Sequence, residues 1–560
     1  MSLRSGEGLA RPPDRERGCS DARPYGSVCA VTVSTRLRRI LALVLALLVA
    51  SGFLVAPAAA SGWSLKASGS GTITTAQSRT LSVSYTRDGR AVARATVQLQ
   101  RKVGTEWVAV TNVTTGPGGR ATARVAPNNS QVYRFRTARA VSNQLTVTVV
   151  PATFTISGSG SGHGVGMSQW GAYRMARTGS TAKQILEYYY QGAAVSTATR
   201  AATSLSNDAV ATIKVQVLGP PSDSRTTTRL SVGSGAWRLR NAAGTQVATG
   251  RASQPVTIGV TSTGVKATFT SSSGTVTKSS STLYFEWTGT RYYQTSGTKA
   301  VASVLGAQGT YRNGRLEVKK VSGRPNVVNQ VVLNTEYLYG LDEMPSGWGT
   351  SSNGGAAALQ AQAVAARTYA ITEKTSKGLQ PACGCHVYDD TRSQNYTGWR
   401  KQGGSYGSTW VAAVNATVQA TTVSVLREPA AIGSGFAETP YFASSGKGTS
   451  TLTGTANNSD AFGTAAVPYL VHKPDPYSAA APGNPYVSWS DSITQVQAQR
   501  IFGLSAVRSI AVTSRFSSGQ LHTVTATAPN GARVARTKTA EGWRTALGLT
   551  GSWVVSFRGR

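Results

Sequence analysis

Acidic residues are scarce in this sequence: 23 Asp and Glu stand against 57 Lys and Arg in 560 residues, a net charge of +34. So basic a chain attracts polyanions over a Debye length and is no acidic, solvating tail. Basic residues also accumulate where a genome favours Arg codons, so charge alone does not choose a partner. Charged residues together make up only 14% of the chain, too few for long salt-bridged surface helices. Cysteine is rare as well, at four residues. Two of these, Cys19 and Cys29, fall in the leader described below, and Cys383 and Cys385 do not make a disulfide-built scaffold. A G-x-x-x-x-G-K-[ST] phosphate loop is missing. Helix-turn-helix, zinc-finger and RNA-binding signatures are missing too, so nucleic acid is not an expected partner.

Long apolar runs are also few, and the prominent one, Ile40 to Val55, follows Arg36, Arg38 and Arg39 and precedes Ala58-Ala59-Ala60. A basic start, an apolar centre and small residues at the end form the pattern of a secretory signal peptide. The run is at the short limit for a membrane span. Cleavage is expected near Ala60, which makes the protein secreted or wall-located. Residues 1–35 are rich in Arg, Pro and Gly and fit either a start placed too far upstream or a leader. Removing residues 1–60 takes away eight Arg and four acids, leaving 49 minus 19, or +30.

What is abundant is Gly, Ser, Thr, Ala and Val, a composition that favours β-rich architecture. Residues 61–151 alternate in short runs such as TLSVSYT, ATVQLQRKV and QLTVTVV, separated by Asp88-Gly89 and Gly116-Pro117-Gly118-Gly119. This rhythm predicts an immunoglobulin-like sandwich acting as a spacer or wall-binding module. Residues 152–560 form a second unit of mixed α and β elements. Within it, Thr181 to Gln184 fits a capping box opening a helix that runs to Tyr190. Residues 210–330 return to alternation. GGAAALQAQAVAARTYAITEK predicts a long Ala-rich helix with Leu359, Ala363, Ala366 and Ala370 on one face. The expected fold class is therefore mostly β with α+β elements.

Several stretches are too specific to be loop composition: GHGVGMSQWGA (162–172), VVLNTEYLYGLDEMP (331–345), DTRSQNYTG (390–398), TPYFASSGKGTS (439–450) and EGWRTALGLTGSWVVSF (541–557). Together they resemble the signature segments of the stage II sporulation protein D (SpoIID/LytB) family, which acts on peptidoglycan. The likeness spans roughly residues 150–560. Their order is unusual, because GHGVGMSQ comes first here instead of following the L-G-L segment. A circular permutation accounts for it, and it predicts that Ala152 to Ile156 lies beside Trp553 to Phe557. It also predicts that residues 150–195 and 500–560 share one domain.

The resemblance implies a lytic transglycosylase that cleaves between N-acetylmuramic acid and N-acetylglucosamine and leaves 1,6-anhydro ends. It places the catalytic acid at Glu343. Met344, Pro345 and Trp348 are suited to desolvate that carboxyl, and Asp342 to raise its pKa by repulsion. An acid on a turn before a helix also suits the helix dipole with no chemistry at all. Substrate-binding candidates are His163, Ser168, Gln169, Gln362, Arg367, Tyr369, Gln394, Tyr396, Ser444, Ser445 and Thr449. His163 fits a purely architectural turn equally well, while Arg367 is a residue able to hold an acid in place. Glu336 reads as structural. SGWGTSSNGG (346–355) is a lid candidate.

Cys383-Gly384-Cys385-His386 offers a tight disulfide, three ligands of a structural zinc site, or free thiols. No cofactor is required for the expected chemistry. Expected partners are glycan strands, anionic wall polymers and a cell-wall amidase. Two other readings stay open: a non-catalytic peptidoglycan-binding protein or amidase enhancer, and a basic envelope adhesin.

Overall fold

The structure is a computed structural model and describes residues 62–199, 212–433, 435–447 and 453–560. The proposed signal peptide and Thr449 lie outside these residues. Among the described residues no helix is long and apolar enough to cross a membrane. The architecture is mostly β with interspersed helices, as composition suggests.

Residues 63–150 form two sheets around a shared core. One joins Trp63–Ser68, Arg79–Arg87, Arg90–Ala91 and Arg120–Val125. The other runs Gly71–Thr74, Leu145–Val150, Gln131–Arg136, Thr96–Val103, Glu106–Thr114. Period-2 alternation turns Leu81, Val83, Val97, Leu99, Phe135 and Val147 inward, where each is almost fully buried.

Residues 212–332 build a six-stranded sheet and six strands of a seven-stranded one, which Val387–Tyr388 completes. Trp237, Ile258, Phe285, Trp287 and Val318 fill the space they share and are wholly buried. The last strand of this region, Arg324–Val332, pairs antiparallel with Thr212–Leu218 and leads directly into the segment that carries Glu343.

Three helices pack beside these sheets: α1 (Gln169–Arg177), α2 (Ala182–Tyr189) and α3 (Ala356–Thr372). The capping box at the start of α2 is present, with Thr181 and Gln184 bonding each other's backbone. The Ala-rich segment is helical, but it does not bury a single face. Ala358, Leu359, Ala361, Ala363, Val364, Ala365, Ala366 and Ala370 are all buried, so the helix is enclosed around its circumference. Small side chains allow this, because α1, α2, the helix Gly407–Asn415 and the strand Thr422–Arg427 all approach it.

Thr153–Ser159 lies between Trp489–Thr494 and Trp553–Gly559, antiparallel to both, with Ile156 opposite Phe557. That pairing is the one the permuted motif order calls for. The expectation that residues 150–195 all belong with 500–560 is corrected. Phe154 and Ile156 pack with Phe502, Trp543 and Val554, whereas Val165 to Tyr190 enter the large core around α3. The change of core falls in the glycine-rich GSGSGHGVG stretch (158–166).

Candidate active site

Four separated stretches converge on Glu343. The first contact is a zipper between the segment 340–343 and residues 395–397. Asp342 N donates to Asn395 O at 2.8 Å, Thr397 N to Gly340 O at 2.8 Å, and Asn395 Nδ2 to Asp342 O at 2.7 Å. This register brings the Asn395 backbone N–H to Glu343 Oε1 at 2.6 Å.

The second contact comes from Tyr441. Met167–Ser168 pairs in parallel with Tyr441–Phe442, and the approach depends on Gly166. Gly166 has φ +75, and a Cβ there would stand 2.0 Å from Pro440 O. Tyr441 accepts a hydrogen bond from Gln394 Nε2 at 2.8 Å, and Tyr337 OH donates to Gln394 Oε1 at 2.7 Å. The Tyr441 hydroxyl, engaged by Gln394, stands near enough to the Glu343 carboxyl to favour its charged form.

Burial raises the Glu343 pKa above the usual carboxylate range, and the repulsion of Asp342 adds to it. The Asn395 N–H, the Tyr441 hydroxyl and Lys401 act in the opposite direction. Met344 and Trp348 are buried, in line with a desolvating role, but Pro345 is exposed and does not shield the acid. Asp342 is tied to Lys401 Nζ at 3.0 Å, and the same ammonium bonds Met344 O. Lys401 thus fixes the turn that presents Glu343 and offsets the charge of Asp342.

Gln169, at the start of α1, donates to the Glu343 carbonyl at 3.2 Å and to Gln362 Oε1 at 3.3 Å. The next residue, Trp170, meets Trp348 at 4.6 Å between ring centroids, and Trp348 stacks on Tyr173 at 4.3 Å. The 346–355 loop is therefore anchored through Trp348, with Asn353 Nδ2 and Gly355 N bonded back to Gly347 O and Trp348 O. A lid motion of this loop would have to unstack that ring. Tyr369, on α3, lies close enough to feel the charge of Glu343 and bonds Ser393.

Other expected site residues serve the framework. His163 Nδ1 accepts from Val165 N at 3.0 Å and Nε2 donates to Tyr441 O at 3.1 Å. Burial pushes its pKa down to about 4, so it is a neutral ring that positions the Tyr441 backbone. Arg367 does not hold an acid: it is fully buried and donates to Ser424 O and Thr417 Oγ1, both at 2.9 Å. Tyr396 stacks on Tyr311 and Tyr337 and accepts from Asn329 Nδ2 at 3.0 Å. Glu336 accepts the Val332 N–H at 2.9 Å, a structural contact as expected.

Ser168, Ser444 and Ser445 are all buried. Ser168 and Ser445 bond Asp475, which also accepts from Tyr189 OH at 3.1 Å and from the backbone N–H groups of Tyr477 and Ser478. Ser444 bonds Ser478 Oγ at 2.8 Å and Asn484 Nδ2 at 3.0 Å. These hydroxyls are spent on folding and do not face a ligand. Gly171 belongs to the same knot, since a Cβ there would meet Tyr189 OH at 1.9 Å.

Cys383 and Cys385 are joined in a disulfide and fully buried. His386 Nδ1 accepts from Lys214 N at 3.0 Å, and burial pushes its pKa down to about 4. The sulfurs and this ring therefore do not assemble as a three-ligand set. Among the described residues no group of three or more His, Cys, Asp and Glu is placed to hold a metal ion. The closed loop is very short, so its constraint on the unfolded chain is small. Replacing both cysteines by Ser is expected to cost about 1–2 kcal/mol in urea unfolding and to leave the Glu343 site intact. A loss several times larger would show that the bridge organises more than its own loop.

Sequence reasoning passed over Tyr441, Asn395, Lys401 and Asp475. Tyr441 lay inside a quoted motif, and Asp475 precedes Pro476 in a recognisable N-cap arrangement. Asn395, inside DTRSQNYTG, reaches the Glu343 carboxyl through its backbone N–H, which side-chain identity does not signal, and Lys401 carries no motif.

Residues 322–427 match the family model for SpoIID, described as Stage II sporulation protein. The matched span holds Glu343, Gln362, Tyr369, Gln394, Asn395 and Lys401, while Gln169 and Tyr441 reach the same acid from outside it. None of the curated proteins compared matched the chain. Over residues 322–427 the chain is therefore similar to a SpoIID domain, a likeness that suggests a sporulation- or cell-wall-related protein.

Proposed function

We propose that the protein is a peptidoglycan lytic transglycosylase acting outside the cytoplasm, with Glu343 as its acid and base. The observation that carries this reading is a partly buried carboxyl inside the SpoIID match, raised in pKa by burial, held by a backbone N–H and influenced by a nearby tyrosine hydroxyl. Protonated Glu343 donates to the glycosidic oxygen between N-acetylmuramic acid and N-acetylglucosamine as that bond breaks. The C6 hydroxyl of the muramic residue then closes on C1, and the carboxylate takes the hydroxyl proton. No water is consumed and the acid is regenerated. One carboxyl suffices, unlike the two of ordinary glycosidases. The adjacent Asp342 is engaged by Lys401 and is not poised as a second catalytic acid.

Incubating purified peptidoglycan with the protein is expected to release 1,6-anhydromuropeptides. Binding without release would favour a wall-binding protein or amidase enhancer. Tyr441→Phe gives a finer test. The hydroxyl favours the charged carboxylate, so its removal raises the Glu343 pKa further. Activity that falls as Glu343 deprotonates should then persist to higher pH, moving the alkaline limb of the profile upward. An unmoved or lowered limb would separate Tyr441 from the titration.

A further inference from the structure

The N-terminal sandwich carries a groove that the Glu343 chemistry does not use. Residues 62–151 hold 12 Lys and Arg against two acids, Asp88 and Glu106, a net +10. Between the strand Thr96–Val103 and the turn after Arg120–Val125 lies an open cavity of about 610 Å³. Arg101 and Arg124 line it together with Tyr133, Asn128, Asn129 and Gln131. Arg124 Nε is fixed by Ser78 Oγ at 2.6 Å, which orients its guanidinium. Arg101 stands close enough to Tyr133 to act on its phenol. Of the two acids, Asp88 pairs with Arg87, and neither lines the groove.

Two guanidiniums beside side-chain amides and a phenol, with no carboxylate in the lining, match phosphate oxygens flanked by hydroxyls. The lining offers no aromatic face for base stacking, because the Tyr133 ring is 4% exposed and Trp107 is covered by Arg134 at 4.1 Å. We propose that this groove binds a phosphodiester-linked polyol polymer, with Arg101 and Arg124 each engaging a phosphate. The sandwich would then hold the chain on an anionic envelope polymer, independently of whether Glu343 is catalytic.

The test uses the purified chain and a short glycerol-phosphate oligomer as probe, with free glycerol and a single-stranded oligonucleotide of equal phosphate number as parallel arms. Arg101→Ala/Arg124→Ala is expected to weaken oligomer binding by about 10- to 100-fold. It should also flatten the dependence of log K on log salt by about 1.4, the share of two phosphate contacts. Arg87→Ala/Arg139→Ala removes equal charge from around Trp63, on another part of the module, and should change affinity by less than about 3-fold. Arg101→Glu, at an exposed position, is the second variant and should weaken binding at an unchanged melting temperature. Equal losses in both double variants would reduce the effect to net charge and overturn the site. Tighter binding of the oligonucleotide, or no binding of the oligomer, would overturn the ligand class.

Discussion

Glu343→Gln is expected to lower the release of 1,6-anhydromuropeptides by about 10³-fold or more while leaving the fold and wall binding unchanged. The size follows from general acid and base catalysis, since a single carboxyl serves both proton transfers. The substitution keeps the shape of the side chain. Its amide oxygen can still accept the Asn395 N–H that Glu343 Oε1 accepts at 2.6 Å, so the turn retains its partners. Any loss then reflects the missing proton and not a collapsed site. The pH dependence has a definite sign. Burial raises the Glu343 pKa, so the acid form survives to higher pH than in an exposed glutamate, and activity declines as pH rises through that value. Wild-type activity that rises across the same range would be incompatible with Glu343 as the proton donor.

Asp475→Ala should be the most destabilising single change among the residues described, costing on the order of 3–5 kcal/mol. The carboxyl is 1% exposed. Its loss strands the Ser168 and Ser445 hydroxyls, the Tyr189 hydroxyl and two backbone N–H groups in a buried space. Ser168 also caps α1, whose first residue is Gln169, so the damage should reach the Glu343 carbonyl. Urea unfolding with matched activity assays measures both effects. A cost below about 1 kcal/mol would mean that water or rearrangement replaces the lost acceptor.

Parts of this arrangement were legible in the sequence because their signals are local. The Thr181–Gln184 capping box, the Ala-rich helix and the alternation of residues 63–150 depend on short-range chemistry and appear where expected. That Ala152 to Ile156 lies beside Trp553 to Phe557 followed from motif order, while the register of the two strands did not. The uniform burial of α3 was hidden, since a segment made mostly of Ala has little contrast between its faces. Ser168, Ser444 and Ser445 misled for a related reason. A serine in a conspicuous motif looks the same whether its hydroxyl faces a ligand or a buried carboxylate such as Asp475. Arg367 misled through charge, because its partners are a carbonyl and a hydroxyl that no spacing rule would indicate. The approach of Tyr441 to Glu343 brings together residues nearly a hundred positions apart and needed the fold itself.

The most direct test of the account is digestion of purified peptidoglycan by the wild-type chain in H₂¹⁸O, followed by mass spectrometry of the released fragments. Closure by the C6 hydroxyl consumes no water, so the account predicts 1,6-anhydro ends without ¹⁸O and their absence with Glu343→Gln. Reducing ends that carry ¹⁸O, or no release at all from the wild type, would contradict it.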